Sequence, residues 1–308
     1  MDSLQHVRIR RSAVSNVGKI TKAMEVVSAT KMRRSQQVAL ASRPYAMAAL
    51  KLLYRVTEHA FVETIYTTPR EAGRTLLVVV ASDRGLTGAF NAQVLRKMDE
   101  YLESLDEKPL VVAVGKKAVQ YAIKKNLEIV AEFSGYGDFV DYGEVMPLAD
   151  IILREFESNP TIQRVVTLSM HFRTTLKQEV LTRRILPTSA EKINETIKEI
   201  APEHGRFSEE KKEASHAPDQ RAIEYIVEPS REEISRRLVP YLIRMQIYQL
   251  ILEANASEHS ARRVAMKTAS DNADELARKL TRSYNKARQA LITNEIIEIT
   301  STQNALSS

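Results

Sequence analysis

Apolar residues recur at helical spacing at both ends of the chain. From Ser230 to about Ala305 one line runs Tyr241, Tyr248, Asn255, Arg262, Ala269, Leu276, Ser283, Ala290 and Ile297. A second runs Met245, Leu252, His259, Met266, Ala273, Leu280, Ala287 and Asn294. Six of the nine and six of the eight are apolar, which predicts a heptad seam. Many are Ala or Ser, so the seam is thin and lets backbones approach closely. Ser230-Arg231-Glu232-Glu233 reads as a capping box that starts the helix. No glycine follows Gly205, and the one proline after Ser230 is Pro240, which predicts a kink near Val239.

Residues 3–57 carry the other helical pattern. Asp2 or Ser3 caps it. Its seam runs Val17, Ile20, Met24, Val27, Lys31, Arg34, Val38, Ala41, Tyr45, Ala48 and Leu52, in steps of three and four. Lys31 and Arg34 break the seam, so the coil is interrupted there or those residues face a partner. Pro44 predicts a local bend. Two seamed helices at opposite chain ends predict an antiparallel pair, since an amphipathic helix must bury its stripe. About 65 helical residues after Pro240, at about 1.5 Å each, span about 98 Å, against about 50 Å for a globule of this length. A rod with an attached domain is therefore expected.

Between the helices the pattern changes. Gly73 and six further glycines cluster here. Residues 76–82, 110–115, 128–133 and 164–170 read as strands, with 179–186 as a fifth. Helical stretches 91–105, 116–125 and 143–156 separate the first four. Strand–helix alternation predicts a Rossmann-like, largely parallel α/β sheet over 74–187. The short connection 172–178 leaves the direction of the last strand open. Residues 188–229 read as a link, and its charged middle, 203–220, as an exposed loop. The predicted class is thus α/β plus a long antiparallel coiled coil, with segments 1–57, 74–187, 188–229 and 230–308.

Composition narrows the chemistry. The 308 residues carry 45 Lys+Arg against 39 Asp+Glu, a net charge of +6 that suits an acidic protein face, nucleic acid or a membrane surface without choosing among them. The absence of cysteine excludes disulfides and cysteine–metal sites. The longest strongly apolar run, 76–81, is too short to span a bilayer. No apolar signal region opens the chain. Arg8, Arg10 and Arg11 would suit a transit peptide, but the amphipathic pattern runs on past them and reads as mature helix.

Ser82-Asp83-Arg84-Gly85-Leu86-Thr87-Gly88 follows the first strand, where α/β proteins often hold phosphate. It matches neither GxGxxG nor GxxxxGK[ST]. It reads as a structural turn with a charged tip: Gly85 and Gly88 shape it, and Asp83 and Arg84 face a partner. The histidines show no metal spacing, and His259 reads as packed. Basic runs such as Lys31-Met32-Arg33-Arg34 lack the aromatic interleaving of a nucleic-acid surface. The residues alone admit a static coiled-coil scaffold or a nucleotide-dependent enzyme on 74–187. No catalytic, cofactor or metal residues are assigned.

Longer stretches carry a resemblance. ITKAMEVVSATKMRRSQ (20–36), followed by ASRPYA (41–46), resembles the N-terminal signature of the gamma subunit of F-type ATP synthases. ASEHSARRVAMKTASDNADEL from Ala256 and YNKARQALITNEIIEI (284–299) resemble its C-terminal helix. SDRGLTGAFN (82–91) and EYIVEP (224–229) are similar to further family segments, in the same order. Thr87 stands where many members have cysteine, and Thr302 where many have glycine.

The resemblance implies a non-catalytic rotor shaft. Its antiparallel coil stands within a hexamer of alternating alpha and beta subunits. Its foot and α/β domain meet the epsilon subunit and the membrane ring of c subunits, on the cytoplasmic face of a bacterial plasma membrane. Proton flow turns the ring and shaft, and the asymmetric shaft drives the three catalytic sites through different states. Carried onto this sequence, Arg288 and Gln289, with Lys286 and Met24, are implied as contacts to the beta subunit. Arg43, Tyr45, Glu224 and Tyr225 are implied at the foot.

Overall fold

The strands LLVVV and LVVAV are apolar at successive positions, the mark of strands covered on both faces. The computed structural model, which describes residues 4–59, 64–174, 177–189 and 230–306, places them at the centre of a five-stranded sheet. The elements run α1 (Leu4–His59), β1 (Arg74–Val80), α2 (Phe90–Glu103), β2 (Leu110–Val114), α3 (Lys116–Lys124), β3 (Glu128–Phe133), α4 (Tyr142–Ser158), β4 (Ile162–Phe172), β5 (Gln178–Leu186) and α5 (Arg231–Leu306). Every expected strand and helix is present, with ends moved by a few residues. The link and its charged loop lie outside the described residues.

The chain forms two compact units, one of Met1–Ala29 with Arg262–Ser308 and one of Thr30–Ala261. In the larger unit the strand order is β3-β2-β1-β4-β5. β1 pairs in parallel with β2 and β4, as does β2 with β3, while β5 returns antiparallel along β4. Alternation along β1 splits the core in two. Leu77, Val79 and Ala81 face α2 and α3, with Phe90, Val94, Met98, Ala118 and Ala122. Leu76, Val78 and Val80 face the other way, onto Val145, Leu148, Ile152 and Phe156 of α4. Val239, Leu242, Ile243, Ile247, Leu250, Ile251 and Ala254 of α5 join that second layer, so the start of the C-terminal helix is core to the sheet.

Local chemistry sets the element ends. Ser230 Oγ accepts the Glu233 amide at 3.1 Å, the cap expected at the start of α5. Glu144 closes a capping box on Asp141 at the start of α4. Arg70 donates to the carbonyls of Phe156, Asn159 and Ile162 at 2.6–2.9 Å and lies over the Phe156 ring, so it satisfies the last turn of α4. Pro44 and Pro240 both lie inside continuous helices.

The seam period holds, but its phase differs from the expectation. On α1 the covered line is Leu4, Val7, Arg11, Val14, Gly18, Thr21, Glu25 and Ser28 in the smaller unit, and Met32, Ser35, Ala39 and Ser42 in the larger. Each lies one residue beyond the expected line from Gly18 on, while Val17, Ile20 and Val27 are more than half exposed. On α5 the line Met266, Ala273, Leu280, Ala287 is covered as expected. Its companion is Ser270, Ala277 and Tyr284, not Ala269, Leu276 and Ser283. Close approach is the reason. A Cβ built on Gly18 would lie 3.3 Å from the Ala273 Cβ, leaving no room for valine on that line.

Within the smaller unit, contacts between the two helical segments run in opposite order. The Arg11 guanidinium lies 5.0 Å over the Tyr284 ring, and Gly18 meets Ala273 and Asp274. The Glu25 carboxyl is held below its usual range first by a hydrogen bond from Lys22, with help from the charges of Lys267 and Arg263. Partner numbers fall as α1 numbers rise. The same order holds within the larger unit, where Ser260 Oγ meets the Met32 sulfur, Ser42 Oγ donates to Gln249 Oε1, and the Tyr45 and Tyr241 hydroxyls bond.

Candidate functional site

In open α/β sheets ligands bind beyond the carboxyl ends of the strands, where strand order reverses. Here that point lies between β1 and β4, next to the Ser82–Gly88 turn. Asn91 organises the turn. Its Oδ1 accepts the Ser82 amide at 3.0 Å, and its Nδ2 donates to Ser82 Oγ at 2.7 Å and Thr87 Oγ1 at 3.0 Å. Asp83 Oδ1 accepts the Lys116 amide at 3.0 Å, and Oδ2 accepts the Gly135 amide at 2.8 Å. A carboxylate of the chain itself therefore occupies the amino end of α3, where a phosphate would otherwise sit.

The crevice above is closed by α5. Residues 251–260 are buried at every position, although Glu253, Asn255, Glu258 and His259 are polar. The remaining cavity, lined by Asp83, Gly115, Tyr136, Asn255 and Glu258 among others, has about 10 Å³, room for about one water. No nucleotide fits there without displacing the helix. The left-handed residues of the Ser82–Gly88 turn are Leu86 (φ 65) and Gly88 (φ 56), and Gly85 is exposed with nothing near a built Cβ. Arg84 is exposed.

Lys31 and Arg34, which interrupted the expected α1 seam, meet the segment between β3 and α4. Lys31 Nζ lies 2.5 Å from Asp138 Oδ1, and this hydrogen bond first of all holds the Asp138 carboxyl below its usual range. Arg34 stacks 4.0 Å over the Phe139 ring. His259 is buried, with Asp138 Oδ1 3.9 Å from its Nε2.

The residues implied as partner contacts fall in different places. Lys286, Arg288 and Gln289 are exposed on α5 of the smaller unit, while Ala287 between them is half-buried. One turn of helix thus presents three polar side chains to the outside, as Ala287 on the seam requires. Met24 is half-buried, and its carbonyl accepts Ser28 Oγ at 2.7 Å. Tyr45 is exposed, and its hydrogen bond pushes the Tyr241 hydroxyl up to about 12. Arg43 lies in α1 with its side chain outside the description, and Glu224 and Tyr225 lie outside the described residues.

One polar cluster escaped the sequence reading. His171 Nδ1 on β4 lies 2.6 Å from Glu253 Oε2 on α5, and Arg183 Nη1 on β5 lies 3.6 Å from the same oxygen. The one legible sign is an acid inside the apolar run YQLILEANA.

Residues 3–306 match the family model described as ATP synthase. The chain is 38% identical to the ATP synthase gamma chain of Roseiflexus castenholzii over 99% of both chains. It is 36% identical to that of Herpetosiphon aurantiacus, again over 99% of both. The chain belongs to the ATP synthase gamma-chain family. Chains of solved ATP synthase structures share its fold. The Euglena gracilis mitochondrial ATP synthase in rotational state 3 (OSCP/F1/c-ring) matches with a TM-score of 0.64 at 18% identity, covering 99% of this chain and 94% of that one. The Tetrahymena thermophila central stalk and c-ring matches with a TM-score of 0.57 at 21% identity, covering 82% of this chain and 99% of that one. Among the described residues of this gamma-family chain, no helix is long and apolar enough to cross a membrane.

Proposed function

We propose that the chain is the rotating central stalk of an F-type ATP synthase, coupling proton flow through a c-subunit ring to ATP synthesis or hydrolysis in an alpha/beta hexamer. The full-length match to gamma chains carries this reading. In it, residues 1–57 and 230–308 form an antiparallel coiled coil, 74–187 the α/β domain beside its foot, and 188–229 the link. The opposite order of contacts along α1 and α5 supports that pairing. In this reading the subunit is non-catalytic and no cofactor is assigned to it. It sits peripherally on the cytoplasmic face of a bacterial plasma membrane.

Charge supports the partner assignment. The smaller unit holds 13 Lys+Arg against 7 Asp+Glu, the whole net charge of the chain, while the larger unit is balanced at 32 of each. A basic surface of this kind favours an acidic protein face. Lys286, Arg288, Gln289 and Met24 are assigned to the beta subunits. Arg43, Tyr45, Glu224 and Tyr225 are assigned to the c-ring and epsilon side, and Asp83, Arg84, Gly85 and Gly88 to a partner-facing loop. In this loop Arg84, Gly85 and Gly88 are exposed and Asp83 is half-buried. A mechanical effector acts only by changing the relative energies of its neighbours' states.

The native mass and subunit stoichiometry of the membrane-detached complex test the reading. The expected result is one copy of this chain per alpha/beta hexamer. A chain that purifies apart from any ATPase, or in equal number with the alpha subunits, contradicts it and favours a static scaffold.

A further inference from the structure

Ten successive residues of α5, 251–260, are buried, and Glu253 among them has 2% of its side chain exposed. A buried carboxylate is costly unless paired and hydrogen-bonded. Glu253 meets three elements of the larger unit. His171 of β4 is 2.6 Å from its Oε2, and Arg183 of β5 is 3.6 Å from the same oxygen. Gln249, one turn earlier on α5, donates to its Oε1 at 3.4 Å. Gln249 in turn accepts from Ser42 of α1 at 2.7 Å. Arg183 Nη2 lies 3.3 Å from His171 Nδ1, which closes the cluster.

The apolar contact around this cluster sets the register of α5 only in part. Ile243, Ile247 and Ile251 are buried against it at intervals of four residues. A slip of four residues, about 6 Å, lays Ile243 and Ile247 where Ile247 and Ile251 were, although it also sets Leu250 where Ala254 was. Apolar burial is non-directional, so the isoleucine ladder itself tolerates that step. The ion cluster does oppose it, because the slip parts buried Glu253 from buried His171 and from Arg183. Buried polar groups of this kind are best attested as devices that specify register.

We propose that Glu253, held by His171 and Arg183, is the positioning residue that locks α5 in register on the sheet and bears the load between them when the stalk turns. The load-bearing part rests on the rotor reading; the lock itself does not. The test uses the assembled enzyme in membrane vesicles, with ATP hydrolysis and ATP-driven proton pumping measured on the same preparation. Glu253→Gln keeps the side chain's shape and removes its charge. It is expected to lower protons pumped per ATP hydrolysed on the order of tenfold, the scale of coupling between buried partners in contact. Hydrolysis per assembled complex is expected to stay within about twofold. A merely structural role lowers both activities together, through the amount of complex assembled.

His171→Gln, which keeps an amide donor near Glu253, is expected to give a smaller fall in the same ratio and decides the matter if Glu253→Gln does not assemble. An unchanged pumping ratio in whichever variants assemble overturns the lock. A wild-type chain absent from the ATPase overturns the rotor reading instead, and the load-bearing part with it.

Discussion

Gly115→Ala is expected to abolish the stable α/β unit. Gly115 joins β2 to α3 with φ 90 and ψ 140, a region open essentially to glycine alone. A Cβ there would lie 2.0 Å from the Ala81 carbonyl oxygen and 2.7 Å from its carbon. Both are backbone atoms at the end of the central strand, so no side chain can swing aside. Relief requires prising β1 from β2, whose ends are tied by Ala81 N to Val114 O at 2.9 Å, while Gly115 N to Phe133 O at 2.7 Å ties β2 to β3. Backbone strain alone is about 1–3 kcal/mol. With the separation of central strands the loss reaches about 4–5 kcal/mol, against a total of about 5–15 kcal/mol for a typical domain. Thermal unfolding of the purified chain, followed by circular dichroism, measures it. Gly143→Ala in α4 is the control, since nothing stands near its built Cβ. That change is expected to be neutral or slightly stabilising, by up to about 1 kcal/mol. A Gly115→Ala chain that melts with the wild type contradicts the account of this crossing.

The second large effect lies at Arg288 and Gln289. Both are exposed on the smaller unit beside half-buried Ala287, so replacing them leaves the buried line of α5 intact. Arginine offers five fixed donors, and glutamine both donors and acceptors, a set suited to carbonyls and carboxylates of an external surface. A hydrogen bond to a charged group contributes about 1.5–3 kcal/mol, so Arg288→Ala with Gln289→Ala is expected to slow ATP turnover of the assembled complex by on the order of tenfold or more. The control is Lys279→Ala with Arg282→Ala, also outward on α5, where Lys279 pairs with Glu275 at 2.6 Å. An exposed pair of this kind contributes little. Steady-state hydrolysis per assembled complex is the measurement. Wild-type turnover in the Arg288/Gln289 variant, or equal impairment in the control, removes the assignment.

Legibility in the sequence differed by element for physical reasons. β1 and β2 announced themselves because burial on both faces demands an unbroken apolar run. The cap at Ser230 was readable because it is a local hydrogen bond. The seam phase was not. Reading the most apolar line as buried selected Val17, Ile20 and Val27. Helices this close instead bury Gly18, Thr21 and Ser28, whose small size is the reason they fit. The filled crevice was also hidden. The Ser82–Gly88 turn looks open in sequence, and what closes it is a stretch of α5 some 170 positions away. Tyr248 reads as a seam residue yet packs on the core of the sheet, whereas Tyr241 meets Tyr45 of α1. The Glu253 cluster draws on β4, β5 and α5, and no local pattern links those three.

The chain contains no cysteine, so a single introduced thiol can be labelled without background. Arg33, exposed on α1, is a suitable position. With the alpha/beta hexamer fixed to a surface and a probe attached at Arg33→Cys, the orientation of the chain can be followed while ATP is hydrolysed. The rotor account predicts sustained turning in one direction that stops when ATP is exhausted. Hydrolysis that proceeds while the probe only fluctuates about a fixed orientation would contradict it.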